Sequence, residues 1–345
     1  MSKLTKVELQ QEQTIATLKT AAARLMSRLA QEKERKQDLI AAVYRAAKDA
    51  ASAVQLKPVR RPKLIHKSGT PETAIAVLSD WQLGKRTVSY NSEVCEERIE
   101  RYGDRVIRLA NLQRYDHPVD DLVVALLGDI CEGELIFPGQ AHAIDSSLFL
   151  QVMTNGPRIL GNFVRRMCGQ FRRVHVDGVI GNHGSLGGRA RREYHPESNA
   201  DAMLYEATRM RLGKQGRLTW APNIIARERK WYSVARVGKY GFLLWHGDQV
   251  KGGFAGYSWY GFGKKLLGWS ARVIKEPWHY SLAGHFHTPV RMYVNGIEHW
   301  GNGSTESDNT YAAEQLAASG EPCQWLLFCH PEKGVSAEYL VRLRS

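Results

Sequence analysis

Five short motifs, each placed where an apolar run stops, constrain this chain more than anything else in it. In order they are Asp80-Trp81-Gln82, Gly128-Asp129, Gly181-Asn182-His183, His246-Gly247 and Gly284-His285-Phe286-His287. The runs themselves, residues 74–79, 122–127, 174–180, 242–245 and 281–283, read as buried strands. Functional groups at the C-terminal ends of strands are the expected geometry of an α/β sheet. The motifs supply carboxylate oxygens, an amide oxygen and imidazole nitrogens, a mixture that divalent Mn, Fe and Zn accept. Two metals about 3.5–4 Å apart, bridged by a carboxylate, can together activate water and polarise a phosphoryl group. The set therefore reads as a two-metal centre for phosphoester hydrolysis.

Between the runs, residues 93–111 and 147–167 read as helices. Residues 290–300 read as a strand hairpin turning at Asn295-Gly296. Residues 324–329 and 337–343 read as closing strands without chemistry of their own. The first 52 residues contain no glycine or proline and are rich in helix formers. Leu4, Ile15, Leu18, Ala22, Leu25 and Leu29 fall on a heptad stripe that Glu8, Gln11, Glu32 and Lys36 interrupt. An amphipathic helix over residues 1–56, able to pair as a short coiled coil and dimerise the protein, is expected. A basic, proline-containing linker over 57–71 ends it. Residues 72–345 form the catalytic domain of this division.

Charge is unevenly spread over the 345 residues. The net charge is +13, and residues 1–70 hold 15 Lys/Arg against 6 Asp/Glu, a surplus of 15 − 6 = +9. Such an arm suits a polyanion, and DNA is the expected partner, against the plainer reading of a solvated basic helix. No apolar stretch approaches the ~20 residues that cross a bilayer. The polar residues 1–11 carry no apolar signal core, so a cytoplasmic protein without membrane contact is expected. Five cysteines with no C-x-x-C spacing suggest reduced, buried thiols rather than disulfides or a cysteine zinc site.

The order and spacing of the motifs resemble the calcineurin-like metallophosphoesterase superfamily, whose pattern is D-x-H, G-D, G-N-H, H and G-H-x-H. The likeness spans about residues 72–305 and implies a four-layer α/β/β/α sandwich with two metals on one edge. Carried over residue by residue, it implies that Asp80, Gln82 and His287 hold the first metal. Asp129 bridges, and Asn182, His246 and His285 complete the second site. His183 matches the catalytic histidine that stabilises or protonates the leaving oxygen. The departure is Gln82, where the family has histidine. An amide oxygen is a poorer zinc ligand than imidazole, which favours Mn²⁺, with Mg²⁺, Fe²⁺ or Zn²⁺ as alternatives, and a weaker first site.

Two features bear on the substrate. The arginines that protein phosphatases of this superfamily carry in G-D-x-x-D-R-G and R-G-N-H-E are missing here. The DNA-repair-exonuclease branch lacks them too and is the closer likeness, although Gly184 stands where that branch has an acidic residue. Residues 128–140 also resemble versions carried by bacteriophages. Arg189, Arg191 and Arg192 follow the Asn182-His183 pair on a glycine-rich loop suited to a phosphate backbone. Tyr257, Trp259, Lys264 and Lys265 lie in an aromatic, glycine-rich segment, expected to be a flexible loop suited to base stacking or, equally, to a lid or dimer contact. A DNA nuclease is the first expectation, and a hydrolase of small phosphoesters or nucleotides the second. A non-catalytic DNA-binding or scaffold protein on a decayed hydrolase is the third. Repair nucleases of this type often work with an ATPase, and the residues here do not identify one.

Overall fold

Alternation of inward and outward side chains sets the architecture. The structure, a computed structural model, describes residues 69–188, 195, 197–225, 229–252, 256–309 and 320–344, together with 24, 26–28, 42, 45, 46, 48 and 49, which are helical. The rest of the N-terminal helix and nearly all of the basic linker lie outside the described residues. The chain divides into two compact units, Met1–Ala46 and Ala47–Ser345, and all that follows concerns the second.

Strand β1 (Glu72–Leu78) pairs in parallel with β2 (Val119–Leu126), and β2 with β3 (Arg173–Gly178). The short β4 (Leu218–Trp220) extends this side, and β10 (Cys323–His330) with β11 (Gly334–Arg342) closes the other in antiparallel register. The six strands run in the order β11-β10-β1-β2-β3-β4. A second sheet holds β5 (Tyr232–Val237), β6 (Tyr240–Trp245), β7 (Tyr280–Ala283), β9 (Ile297–Gly301) and β8 (Val290–Val294), in that order. Strands β6, β7 and β9 are parallel. The β8–β9 hairpin turns at Asn295 (φ 48°) and Gly296 (φ 83°), the two left-handed residues a type I′ turn requires.

The two sheets face each other. Ile75, Val77, Val123 and Ala125 from the first sheet share one buried cluster with Phe242, Leu244, Leu282 and Trp300 from the second. The alternate residues point outward and are covered by helices. Helix α1 (Ser92–Gln113), capped by the Asn91 side chain on the Val94 amide, buries Cys95, Ile99, Tyr102 and Val106. Helices α2 (Gly156–Cys168) and α3 (Ala200–Leu212) also bury an apolar face. Helix α4 (Trp259–Gly268) lays Phe262 and Leu266 against Leu243 and Trp245 on the outer face of the second sheet. The result is the four-layer α/β/β/α sandwich that the resemblance implies. All five cysteines are buried and free. No helix among the described residues is long and apolar enough to cross a membrane.

Trp245 tests the outer packing. It is fully buried, contacts Phe262 and Trp269, and donates its indole N–H to Ser281 Oγ at 2.8 Å. Trp245→Ala should cost about 3–5 kcal/mol, the range for deleting a buried aromatic, read as a lower urea midpoint with unchanged slope.

Candidate metal centre

Parallel strands bring the motifs to one edge. Asp80 follows β1, Asp129 follows β2 and Asn182-His183 follow β3, while His246 follows β6 and His285 and His287 follow β7. The backbone bends sharply at these points. Of the eight non-glycine residues with positive φ among those described, five are expected ligands: Asp80, Gln82, Asp129, His285 and His287. Each such conformation is unfavourable for a side-chain-bearing residue, and clustered strain of this kind marks a functional site. Gly128 and Gly181 permit it, because a Cβ on Gly128 would overlap the Gly181 backbone and one on Gly181 would overlap Asp129.

Asp129 is the meeting point. Its Oδ2 lies 3.1 Å from His246 Nε2 and 3.4 Å from Gln82 Nε2. His246 Nε2 is also 3.1 Å from Asn182 Oδ1. Donor atoms of Asp129, His246 and His285 all lie within 4.8 Å of one another. On the other flank, His287 Nε2 is 3.3 Å from Asp80 Oδ1 and 3.4 Å from Gln82 Nε2. All seven expected ligands thus converge, and all but the two motif-five histidines and Asn182 are almost completely buried.

Electrostatics show that this cluster suits cations. Asp80, Asp129, Glu132, Asp201 and Glu306 are all buried at this edge. Burial opposes charge on His246, but the Asp129 carboxylate prevails and raises it to about 10. Burial is likewise overcome at His287 by Glu306 and Asp80, which raise it to about 10. His285, buried and beside the charged His246, is held down to about 3. The same carboxylates that favour positive charge on these two histidines would favour divalent ions. His246 Nδ1 sits 2.7 Å from the Leu127 carbonyl, an arrangement that keeps a proton on Nδ1 and points Nε2 at Asp129 and Asn182, where its lone pair would face a cation that displaces the second proton. Three acceptors that face one another in this way fit a cation. Gln82 fits as well: its buried Oε1 has no hydrogen-bond partner among the described residues, and a half-turn of the amide presents it to Asp129 and His287.

Four further residues support the centre and were not evident beforehand. Glu132 Oε2 lies 3.2 Å from His183 Nδ1, and the His183 amide donates to Asp129 Oδ1 at 2.8 Å. The carboxylates of Asp129 and Glu132 outweigh burial and raise His183 above its ordinary value. Glu306 accepts from His287 Nδ1 at 2.6 Å and pairs with Lys85 at 2.5 Å. Asp201 accepts the amides of Asp129, Cys131 and Gly181 at 2.8, 2.9 and 2.9 Å, while burial and the Asp129 charge raise its carboxyl to about 6. Of the four, only Glu132 had a signal in the sequence, three places after Asp129 in Gly128-Asp129-Ile130-Cys131-Glu132.

The expected substrate residues divide. Arg189, Arg191 and Arg192 lie outside the described residues. Tyr257 is a correction: it is fully buried, its hydroxyl is 2.6 Å from His299 Nε2, and it stacks on Phe262, so no base can reach its face. The segment expected to be a flexible loop is helix α4 from Trp259 onward, because Phe262 and Leu266 bury one side of it. Trp259 and Lys264 are exposed, and Lys265 packs over the Trp269 ring at 5.8 Å.

Two sheets lie face to face with helices outside, and the five motifs meet at one edge. No family model matches the chain, and no curated protein matches its sequence. Solved structures similar to it include Vacuolar Protein Sorting 29 from Cryptosporidium parvum, at 14% identity over 79% of this chain and 93% of that one, with a TM-score of 0.40. Hypothetical protein PH1004 from Pyrococcus horikoshii OT3 is 12% identical over 79% of this chain and 88% of that one, with a TM-score of 0.38. A novel archaeal phosphodiesterase is 9% identical over 78% and 99%, with a TM-score of 0.34.

Proposed function

We propose that this protein is a metal-dependent phosphodiesterase that cleaves DNA. The observation that carries the hydrolase reading is the convergence of seven residues with oxygen and nitrogen ligand atoms, Asp129 in their middle, at a strained sheet edge. Asp80, Gln82, Asp129 and His287 would hold one divalent ion, and Asp129, Asn182, His246 and His285 a second. Bound there, the ions supply Lewis acidity toward a phosphoryl oxygen and a lower pKa for water. Gln82 contributes oxygen where imidazole is usual, which favours Mn²⁺ or Mg²⁺ over Zn²⁺ at the first position.

The chain's own residues do the rest. His183, tethered through Nδ1 to Glu132, presents Nε2 toward the centre, where a proton carried on it can pass to the departing oxygen. Its backbone amide holds Asp129 in place. The net charge of +13, concentrated before residue 70, supports a polyanionic substrate over a small one.

Incubating labelled single- and double-stranded DNA with the protein and Mn²⁺, Mg²⁺, Zn²⁺ or chelator tests this. Metal-dependent cutting should appear, strongest with Mn²⁺, and His183→Ala should slow it by about 10²–10⁴-fold. Turnover of a small aryl phosphodiester without any cutting of DNA would replace the nuclease reading with a small-substrate one.

A further inference from the structure

We infer that the outward face of helix α4 is a stacking platform for single-stranded nucleic acid. The inference rests on the nucleic-acid part of the proposed function and names the surface that would carry the strand to the centre. Trp259 is 46% exposed and Tyr260 is 82% exposed, on consecutive residues of a helix whose apolar side, Phe262 and Leu266, is already buried. Two large rings left in water at one place need a reason, since isolated apolar exposure is ordinary but paired aromatic exposure beside a site is not.

What lies one helical turn away gives the platform its chemistry. Gly263 follows Trp259 by four residues, and nothing lies within 4 Å of the place its Cβ would occupy. A planar group lying on the Trp259 ring would meet bare backbone there rather than a side chain. Lys264 follows Tyr260 by the same spacing and is exposed, so a cation lies one helical turn on along the same side of the helix. Residues 249–275 contain five Lys/Arg and no Asp or Glu. A ring for each base and a cation for each phosphate is the pattern that binds single strands with little sequence preference.

The platform is joined to the metal centre by touching rings. Trp259 lies 5.1 Å from Tyr257, Tyr257 lies 5.4 Å from Phe286, and Phe286 lies 5.1 Å from the ligand His285. Thr288 Oγ1 also donates to the Gly256 carbonyl at 3.2 Å, tying the start of the helix to the loop that carries His287. A strand stacked on Trp259 and Tyr260 would therefore begin next to that loop. Charge selects the occupant. The chain's own N-terminal arm, +9 over residues 1–70, would be repelled by this basic face. A membrane surface would want a continuous apolar stripe, whereas Gly263 and Lys264 interrupt this one.

The test is binding of a fluorescein-labelled oligo(dT) to full-length, metal-free protein in chelator, read by anisotropy, so that hydrolysis plays no part. Trp259→Ala/Tyr260→Ala should bind at least ~10-fold more weakly, since both ring faces on which bases would stack are removed. Trp259→Phe/Tyr260→Phe, which keeps the ring faces, should bind within a few-fold of the original, and Lys264→Gln should reduce the salt slope by about 0.7. Unchanged melting temperatures confirm that the variants fold. Equal binding by the alanine variant and the original protein overturns the inference, as does no binding by either. Binding to vesicles of anionic phosphatidylglycerol in place of oligo(dT) overturns it in favour of a membrane surface. Oligonucleotide binding that follows these expectations in a protein that cleaves no DNA with any metal leaves the platform standing and removes the nuclease reading.

Discussion

Asp129→Ala is expected to lose metal binding at both positions and to lower phosphodiester turnover by at least ~10³-fold. Removing one preorganised electrostatic stabiliser already costs about 10²–10³, and Asp129 is the group that both halves of the centre share. Its Oδ2 faces His246 at 3.1 Å on one side and Gln82 at 3.4 Å on the other. Without it, His246 and His285 lose the carboxylate that acts on them most strongly and keep only the weaker pull of Asp248 and, for His246, Asp80, and Asp80 with Gln82 and His287 make an incomplete set. Asp129→Asn separates charge from shape. It keeps an oxygen that can accept the His183 amide, now 2.8 Å from Oδ1, so the fold should survive while the cations are lost. Titrating Mn²⁺ against each protein by calorimetry reads this without reference to activity. The proposed centre gives two bound ions per chain, and the Asn variant should bind less than one tightly. Undiminished stoichiometry in Asp129→Asn would show that the ligands assigned here are not the ones that matter.

Much of this centre could be read from the chain because ligands at strand ends leave two local marks, an apolar run and a polar break after it. Each of the five motifs has both. The Asn295-Gly296 turn is legible for the same reason: its conformation depends on residues adjacent in sequence. The supporting shell is different. Glu306, Lys85 and Asp201 lie in loops or at a helix start, with nothing local to distinguish them from solvated charges. Only the sandwich brings Glu306 to His287 and Asp201 to the Asp129 loop. The segment after Tyr257 shows how glycine misleads. Gly261, Gly263 and Gly268 suggest a loop, yet Phe262 and Leu266 recur at helical spacing, and their burial against Trp245 and Tyr257 outweighs the propensity cost of about 1 kcal/mol per glycine. That same burial makes Tyr257 a core residue and leaves Trp259 outside.

Asp201 is where that unreadable shell has its largest expected effect. It is the second residue of α3, two places after the cap residue Asn199, whose Oδ1 accepts the Asp201 amide at 2.8 Å. Its carboxylate then takes the amides of Asp129 and Gly181 on Oδ2 and that of Cys131 on Oδ1. One side chain of one helix therefore holds the loop carrying the bridging carboxylate and the loop carrying Asn182 and His183. In Asp201→Ala three buried N–H groups lose their acceptor. Each unsatisfied donor costs about 1–3 kcal/mol, so a loss on the order of 3–5 kcal/mol is expected even if water restores part of it. Asp201→Asn can keep an oxygen where Oδ2 is and turn its NH₂ against the Cys131 amide, so it should lose about 1–3 kcal/mol. Urea denaturation should rank the original protein above Asn and Asn above Ala. Metal affinity should fall by about 10–100-fold in the Asn variant, the range for losing a group that orients ligands. An alanine variant that unfolds at the original urea midpoint would show that the two loops keep their positions without Asp201, and the strained ligand backbone would then need another source of restraint.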